Sequence, residues 1–310
     1  MNALEARALS YRYPSGRRHA LDDLSLCVRE GRPTGLLGPN GAGKTTFFSL
    51  ICGLLHQESG ELRVFGMRST DREARRSVGY CPQELALYPK LTAEENLRFF
   101  GRLAGLSGRH LSRRVNACLE ISRLGAEAAT RVEGYSGGMK RRLNLGLALM
   151  HGPKLLLLDE PTVGVDTPSR NAIFEALEDL AKEGTTIIYA THYMEEVERF
   201  CEDVAVIDRG RVIASGATAE IVGGGALGQT YRLKAVVGQS VAVIVEEAKT
   251  KGLEAHALGL DEIELSGGDM KSLTAEVARL AGLGVVSSVE THRPTLEERF
   301  LELTGQELRD

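Results

Sequence analysis

GPNGAGKTT, residues 38–46, is the stretch on which the fold turns. Gly38, Gly43, Lys44 and Thr45 satisfy the pattern G-x-x-x-x-G-K-[ST]. Glycines let a backbone wrap close enough for its amides to face phosphate oxygens. The Lys44 ammonium supplies charge to terminal phosphates, and the Thr45 hydroxyl is a magnesium ligand in such loops. A short apolar run at 34–37 leads into the loop, and 45–54 reads as a helix, whose N-terminal dipole favours an anion. Gly38, Pro39, Asn40, Gly41, Ala42, Gly43, Lys44, Thr45 and Thr46 are therefore expected to cradle the phosphates of a nucleotide.

Downstream, LLLLDEP at 155–161 is the natural counterpart. Four leucines in a row suit a strand buried on both faces of a parallel sheet, which fixes where the following acids emerge. Asp159 is expected to hold the shell of a magnesium ion, and Glu160 to polarise an attacking water as general base. In YSGGMKRRLNLGLALM, 135–150, Ser136, Gly137 and Gly138 precede an apolar helix. A hydroxyl and bare amides at a helix N-terminus make a second anion site. One nucleotide does not need two such sites from one chain, so the second suits a nucleotide held by another subunit.

Strand and helix signals alternate up to about residue 222, which predicts βαβ units around a mostly parallel sheet. Thr92 and Glu95 have capping-box spacing, and Thr167-Pro168 reads as an N-cap followed by proline at the first helical position. From about 85 to 133 helical signals dominate, as in a helical insertion; with the segment that follows it forms a helical subdomain over about 85–150. GGGALG at 223–228 marks a linker over 223–229, set between an expected first domain at 1–222 and a second at 230–310. The second domain reads β-α-β-β-α-β, the ferredoxin-like order, with a closing helix at 295–303.

Composition excludes several classes. Hydrophobic residues are 43% and charged residues 26%, so there is enough apolar material for a core. A formal net charge of -4 argues against a dedicated nucleic-acid binder. The richest apolar run, 143–158, is broken by Asn144, His151, Pro153 and Lys154, so no membrane span is expected. MNALEARALS lacks the layout of a signal peptide. Cys27, Cys52, Cys81, Cys118 and Cys201 show no CxxC spacing and are expected to be small buried hydrophobes in a reducing, cytosolic compartment.

With those stretches in view, the first 222 residues or so resemble an ATP-binding-cassette (ABC) ATPase subunit, a P-loop NTPase. The likeness is carried by ordered motifs: Walker A at 38–46, Gln83 in GYCPQ, the SGG signature at 136–138, Walker B at 155–160, Asp166 in VGVD and His192 in the TH dipeptide. The resemblance implies an α/β ATPase core with a helical subdomain, beside the small α+β ferredoxin-like domain. It implies that Tyr13 in SYRYP stacks on adenine, with Tyr11 the competing candidate. It further implies that Gln83 touches magnesium or water, that His192 contacts the γ-phosphate, and that Asp166 faces a partner copy.

The family's working unit is a head-to-tail pair, with ATP held between Walker A of one copy and the signature of the other. Ser136, Gly137, Gly138 and Met139 would then complete the partner's nucleotide site. ATP and Mg2+ are the implied cofactors, with Thr45, Gln83 and Asp159 around the metal. A separate polytopic permease is the implied partner, which places the chain in the cytoplasm against the inner face of the membrane. Met139 and Tyr135 depart from the LSGGQ form. YSGGM and PTLEERFLELT at 294–304 resemble ABC-2-type exporter subunits of drug, antibiotic, lipid or polysaccharide efflux. A soluble ABC ATPase and an importer subunit remain alternatives. The second domain could regulate, dimerise or brace the core.

Overall fold

A computed structural model describes residues 1–14, 16, 18–223, 230–236, 238–267, 270–292 and 295–304. The first unit, Met1–Gly216, opens with strands β1 (Asn2–Tyr11), β2 (Leu21–Arg29) and β3 (Thr34–Leu37) and helix α1 (Lys44–Ile51). There follow β4 (Ser59–Val64), β5 (Met67–Arg68), α2 (Arg72–Arg76), β6 (Val78–Cys81), α3 (Ala93–Leu103), α4 (Gly108–Ile121) and α5 (Gly137–Ala148). The unit continues with β7 (Leu155–Asp159), α6 (Thr167–Lys182), β8 (Thr186–Thr191), α7 (Met194–Phe200), β9 (Asp203–Asp208) and all but the last residue of β10 (Arg211–Ala217).

A six-stranded sheet in the order β10-β9-β3-β8-β7-β6 forms its centre, parallel from β9 to β6. Every residue of β3, β7 and β8 is buried, as both faces of a covered parallel sheet require. Phe47 and Phe48 of α1 are fully buried against Leu36, Leu155, Leu157 and Ile188 of the sheet, each contributing about 2 kcal/mol by area removed from water. This packing fixes the start of α1 beside the end of β7.

A second sheet, β2-β1-β4-β5, is antiparallel and was not read from the sequence. Its signal is the alternation of β2, where Leu24, Leu26 and Val28 point inward and Ser25, Cys27 and Arg29 outward. Cys27 is accordingly exposed and Cys52 half-buried, which corrects the expectation of five buried thiols. The capping box at Thr92 is present: Thr92 Oγ1 accepts from Glu95 N at 3.1 Å and Glu95 Oε2 from Thr92 N at 2.8 Å. At α6 the cap is Asp166 rather than Thr167; its carboxylate accepts from Ser169 N at 3.3 Å, and Pro168 falls one position further into the helix.

The second unit starts at Ala217, because α8 (Thr218–Gly223) packs with the closing helix and Ile221 O accepts from Arg299 Nε at 2.9 Å. The division thus falls before residue 222, where the first domain was expected to end. Most of the expected linker at 223–229 lies outside the described residues. Strand β11 (Thr230–Ala235), α9 (Val241–Thr250), β12 (Glu254–Ala257), β13 (Glu262–Ser266), α10 (Met270–Gly282), β14 (Val286–His292) and α11 (Leu296–Thr304) complete this unit. Its sheet is antiparallel in the order β12-β13-β11-β14, the ferredoxin-like arrangement.

Burial pushes the Cys81 thiol up to about 12 and Cys118 up to about 11. Iodoacetamide should therefore modify Cys27 of the native protein and spare Cys81 and Cys118 until denaturant is added, as read by peptide mass. Rapid native labelling of Cys118 would contradict this packing.

Candidate functional site

The site is assembled at the ends of β3, β8 and β7, with β8 between the other two. Leaving β3, the loop turns through Gly43 at φ 109°, where a Cβ would lie 2.6 Å from Ala20 O, so only glycine fits. Lys44 opens α1 and is 5% exposed. Its Nζ donates to Gly38 O at 2.6 Å and Pro39 O at 3.2 Å.

β7 delivers Asp159, 1% exposed, and the chain then turns at Glu160, 4% exposed. Glu160 has φ 49°, a left-handed conformation costly for a non-glycine residue and met chiefly where function imposes it. Its amide is held by Ala190 O of β8 at 2.9 Å. Asp159 Oδ2 accepts from Thr45 Oγ1 at 2.8 Å and from the Tyr80 hydroxyl at 3.3 Å. Glu160 Oε2 accepts from Gln83 Nε2 at 3.1 Å. Glu160 Oε1 lies 3.2 Å from His192 Nδ1 and 3.6 Å from Lys44 Nζ.

Charge explains this convergence. Two carboxylates under 5% exposed must be surrounded by donors or cations. Burial raises the pKa of Asp159, opposed by the hydrogen bond from Thr45. Burial lowers that of Lys44, opposed by the charges of Glu160 and Asp159. Burial, then the Asp159 charge, raises the Tyr80 hydroxyl, which stays a neutral donor.

Above these groups opens a cavity of about 330 Å3 lined by Tyr13, residues 39–46, Gln83 and Glu160. The Tyr13 ring is 42% exposed there, its hydroxyl 3.2 Å from Thr46 Oγ1. Tyr11 packs instead against the core, edge-on to Tyr13 at 5.0 Å. Gly38 sits at the root of the loop, where a Cβ would lie 2.2 Å from Ile207 O.

Ser136, Gly137, Gly138, Met139 and Asp166 do not line this cavity. They form a second group where α5 and α6 begin. Ser136 caps α5, its hydroxyl accepting from Met139 N at 3.2 Å, so that amide is occupied. A Cβ on Gly138 would sit 2.4 Å from Ser169 Cβ and 2.8 Å from Asp166 Oδ1, so the two helix starts are in contact. The hydrogen bond from Ser169 holds the Asp166 carboxyl below the usual range.

Three contributors escaped the sequence reading. Tyr80 supports Asp159. Arg141 Nη1 donates to Gln83 O. Asn144 accepts from Ala86 N at 3.2 Å and donates to Pro82 O at 3.1 Å, so α5 grips the loop that carries Gln83. Polar residues interrupting an apolar helix were the available signal for the last two.

Comparison with known proteins fits this geometry. The ABC transporter family model matches residues 21–163. The linearmycin resistance ATP-binding protein of Bacillus subtilis is 39% identical over 95% of this chain and 96% of its own length. A Nod factor export ATP-binding protein I of Cupriavidus pinatubonensis is 41% identical over 99% of this chain and 92% of its own. A dimeric ATP-binding cassette in a post-hydrolysis state with ADP and Pi superposes with a TM-score of 0.63 at 27% identity, covering 69% of this chain and 98% of that one.

Lys44 is the cation expected to meet a bound phosphate. Lys44→Ala should weaken ATP binding by about tenfold or more in a calorimetric titration. An unchanged affinity would mean that the loop is not organised around phosphate.

Proposed function

This chain belongs to the ABC transporter family, and on that premise we propose that it is the ATP-hydrolysing subunit of a membrane exporter, working as a pair of identical copies. The observation that carries the catalytic part is the convergence of Lys44, Gln83 and His192 on the Glu160 carboxylate.

In this reading Tyr13 presents a ring face to adenine, and the amides of 39–46 hold the phosphates. Phosphate oxygens compete with Gly38 O and Pro39 O for the Lys44 ammonium. Glu160 accepts the proton of the water that attacks the terminal phosphorus, and the Gln83 amide orients that water. His192 and Lys44 offset the charge that builds on the departing phosphoryl group. ADP and phosphate are the products. The hard oxygen donors Thr45 and Asp159, 2.8 Å apart, with the Gln83 side-chain carbonyl, fit Mg2+. Bound there, Mg2+ supplies neutralisation of the β- and γ-phosphate oxygens.

The signature group at Ser136–Gly138 lies outside the chain's own nucleotide cavity, which supports its service to a second copy. The γ-phosphate is then the one group that bridges both anion sites, so ATP closes the pair and hydrolysis opens it. No helix among the described residues is long and apolar enough to cross a membrane. The membrane path is assigned to a separate polytopic permease, with this chain on the inner face, where ATP is available. Exposed Leu85, Tyr88 and Phe99, the last two with rings 5.0 Å apart, offer an apolar docking patch next to the Gln83 loop. The relatives named for linearmycin resistance and Nod factor export support outward transport.

Glu160→Gln should keep ATP affinity and lower turnover by about a hundredfold or more. Retained turnover would reject Glu160 as the base. Tagged Glu160→Gln, recovered from native membranes with ATP and Mg2+, should bring down a polytopic membrane protein. Recovery of only itself, ribosomes or DNA-bound factors would overturn the exporter reading.

A further inference from the structure

Glu196 of α7 is 5% exposed and takes no part in the chemistry described above. Its carboxylate nevertheless gathers hydroxyls from two segments of the active site. Oε1 accepts from Thr162 Oγ1 at 2.7 Å. Oε2 accepts from the Tyr189 hydroxyl at 2.8 Å and from Thr191 Oγ1 at 3.2 Å. Arg170 Nε, on α6, is 3.7 Å from Oε1.

The positions of these donors matter more than their number. Thr162 stands two residues beyond Glu160, at the start of the loop that ends in Asp166. Thr191 immediately precedes His192, and its hydroxyl also accepts from Tyr193 N at 2.9 Å, which fixes the turn that carries the histidine. One buried carboxylate thus clamps the turn after Glu160 to the turn before His192, and the two side chains so placed meet at 3.2 Å. A buried carboxylate is an expensive way to fill space, since apolar residues of the same volume stabilise a core at least as well. Its use here suits a fixed geometry between the turn after Glu160 and the end of β8, adding side-chain ties to the backbone bond from Glu160 N to Ala190 O.

We propose that Glu196 is a positioning residue for hydrolysis: it sets Glu160 and His192 in register, and through Thr162 and Arg170 ties that register to the Asp166 loop and α6. The proposal rests on the reading of Glu160 and His192 as the groups that act on ATP.

The test is steady-state ATPase kinetics with parallel ATP titration and thermal unfolding, on the full chain. Glu196→Gln keeps the size and one acceptor oxygen but loses the charge. It should lower kcat by about tenfold or more, the scale for groups that orient an active-site ligand, while KM and ATP affinity stay within about twofold of wild type. Thr162→Val, which removes one clamp hydroxyl, should also lower kcat. The double variant should fall by less than the product of the two single effects, since both act through one contact. Glu195→Gln, exposed on the same helix, should match wild type.

A folded Glu196→Gln with wild-type kcat overturns the proposal, as does a fully active Thr162→Val should Glu196→Gln fail to fold. A fall in thermal stability with kcat unchanged per folded molecule would assign Glu196 to the fold alone. A wild type without ATPase activity, or a fully active Glu160→Gln, would overturn the underlying reading and this inference with it; an active wild type with indifferent clamp variants overturns this inference only.

Discussion

Two adjacent carboxylates, Asp159 and Glu160, emerge into a nearly dry site at the end of an all-buried leucine strand, and the structure around them is arranged to keep them there. Each is under 5% exposed. Water cannot solvate them, so protein groups must. Thr45 and Tyr80 serve Asp159, while Gln83, Lys44 and His192 serve Glu160. Burial pulls Lys44 and Asp159 each toward its neutral form, opposed chiefly by the Glu160 charge at Lys44 and by the Thr45 hydrogen bond at Asp159. In the proposed function, a nucleotide and its Mg2+ take over these contacts. The fold follows from this requirement, because three buried parallel strands are what bring the loop after β3, the turn after β7 and the turn after β8 to one point.

The same logic reaches beyond the pocket. Gln83 sits on a loop held from α5 by Arg141 and Asn144. The start of α5 is pressed against α6 so closely that Gly138 has no room for a methyl group. α5 therefore touches both the loop that carries Gln83 and the start of α6 beside Asp166. In the proposed function these contacts connect the nucleotide site with the signature, where a second copy is proposed, and with the patch at Tyr88 and Phe99, where a permease is proposed.

The parts of the site carried by short contiguous patterns were legible in the sequence. The spacing of Gly43, Lys44 and Thr45 and the run of leucines into Asp159 are local, and their chemistry is unusual enough to read. Tyr80, Asn144 and Glu196 were not legible, because each acts on a group far along the chain and is individually an ordinary residue. The cap of α6 was misplaced by one residue since aspartate and threonine both accept from an N-terminal amide, and only the backbone distinguishes them. The antiparallel sheet was overlooked although β2 alternates plainly, because register shifts along β1 break its inward–outward alternation. The ferredoxin-like order of the second unit was readable from its sequence of elements, and its strand pairing agrees.

The central claim is that ATP joins two copies through the loop at 38–46 of one and the signature of the other. Its most direct measurement is the solution mass of Glu160→Gln with and without saturating ATP and Mg2+, by light scattering after size exclusion. The expected result is a mass that doubles only when ATP is present, and a loss of that doubling when Ser136 is changed to a bulky residue. A mass that stays at one copy with ATP bound, or that is doubled regardless of ATP, would contradict it.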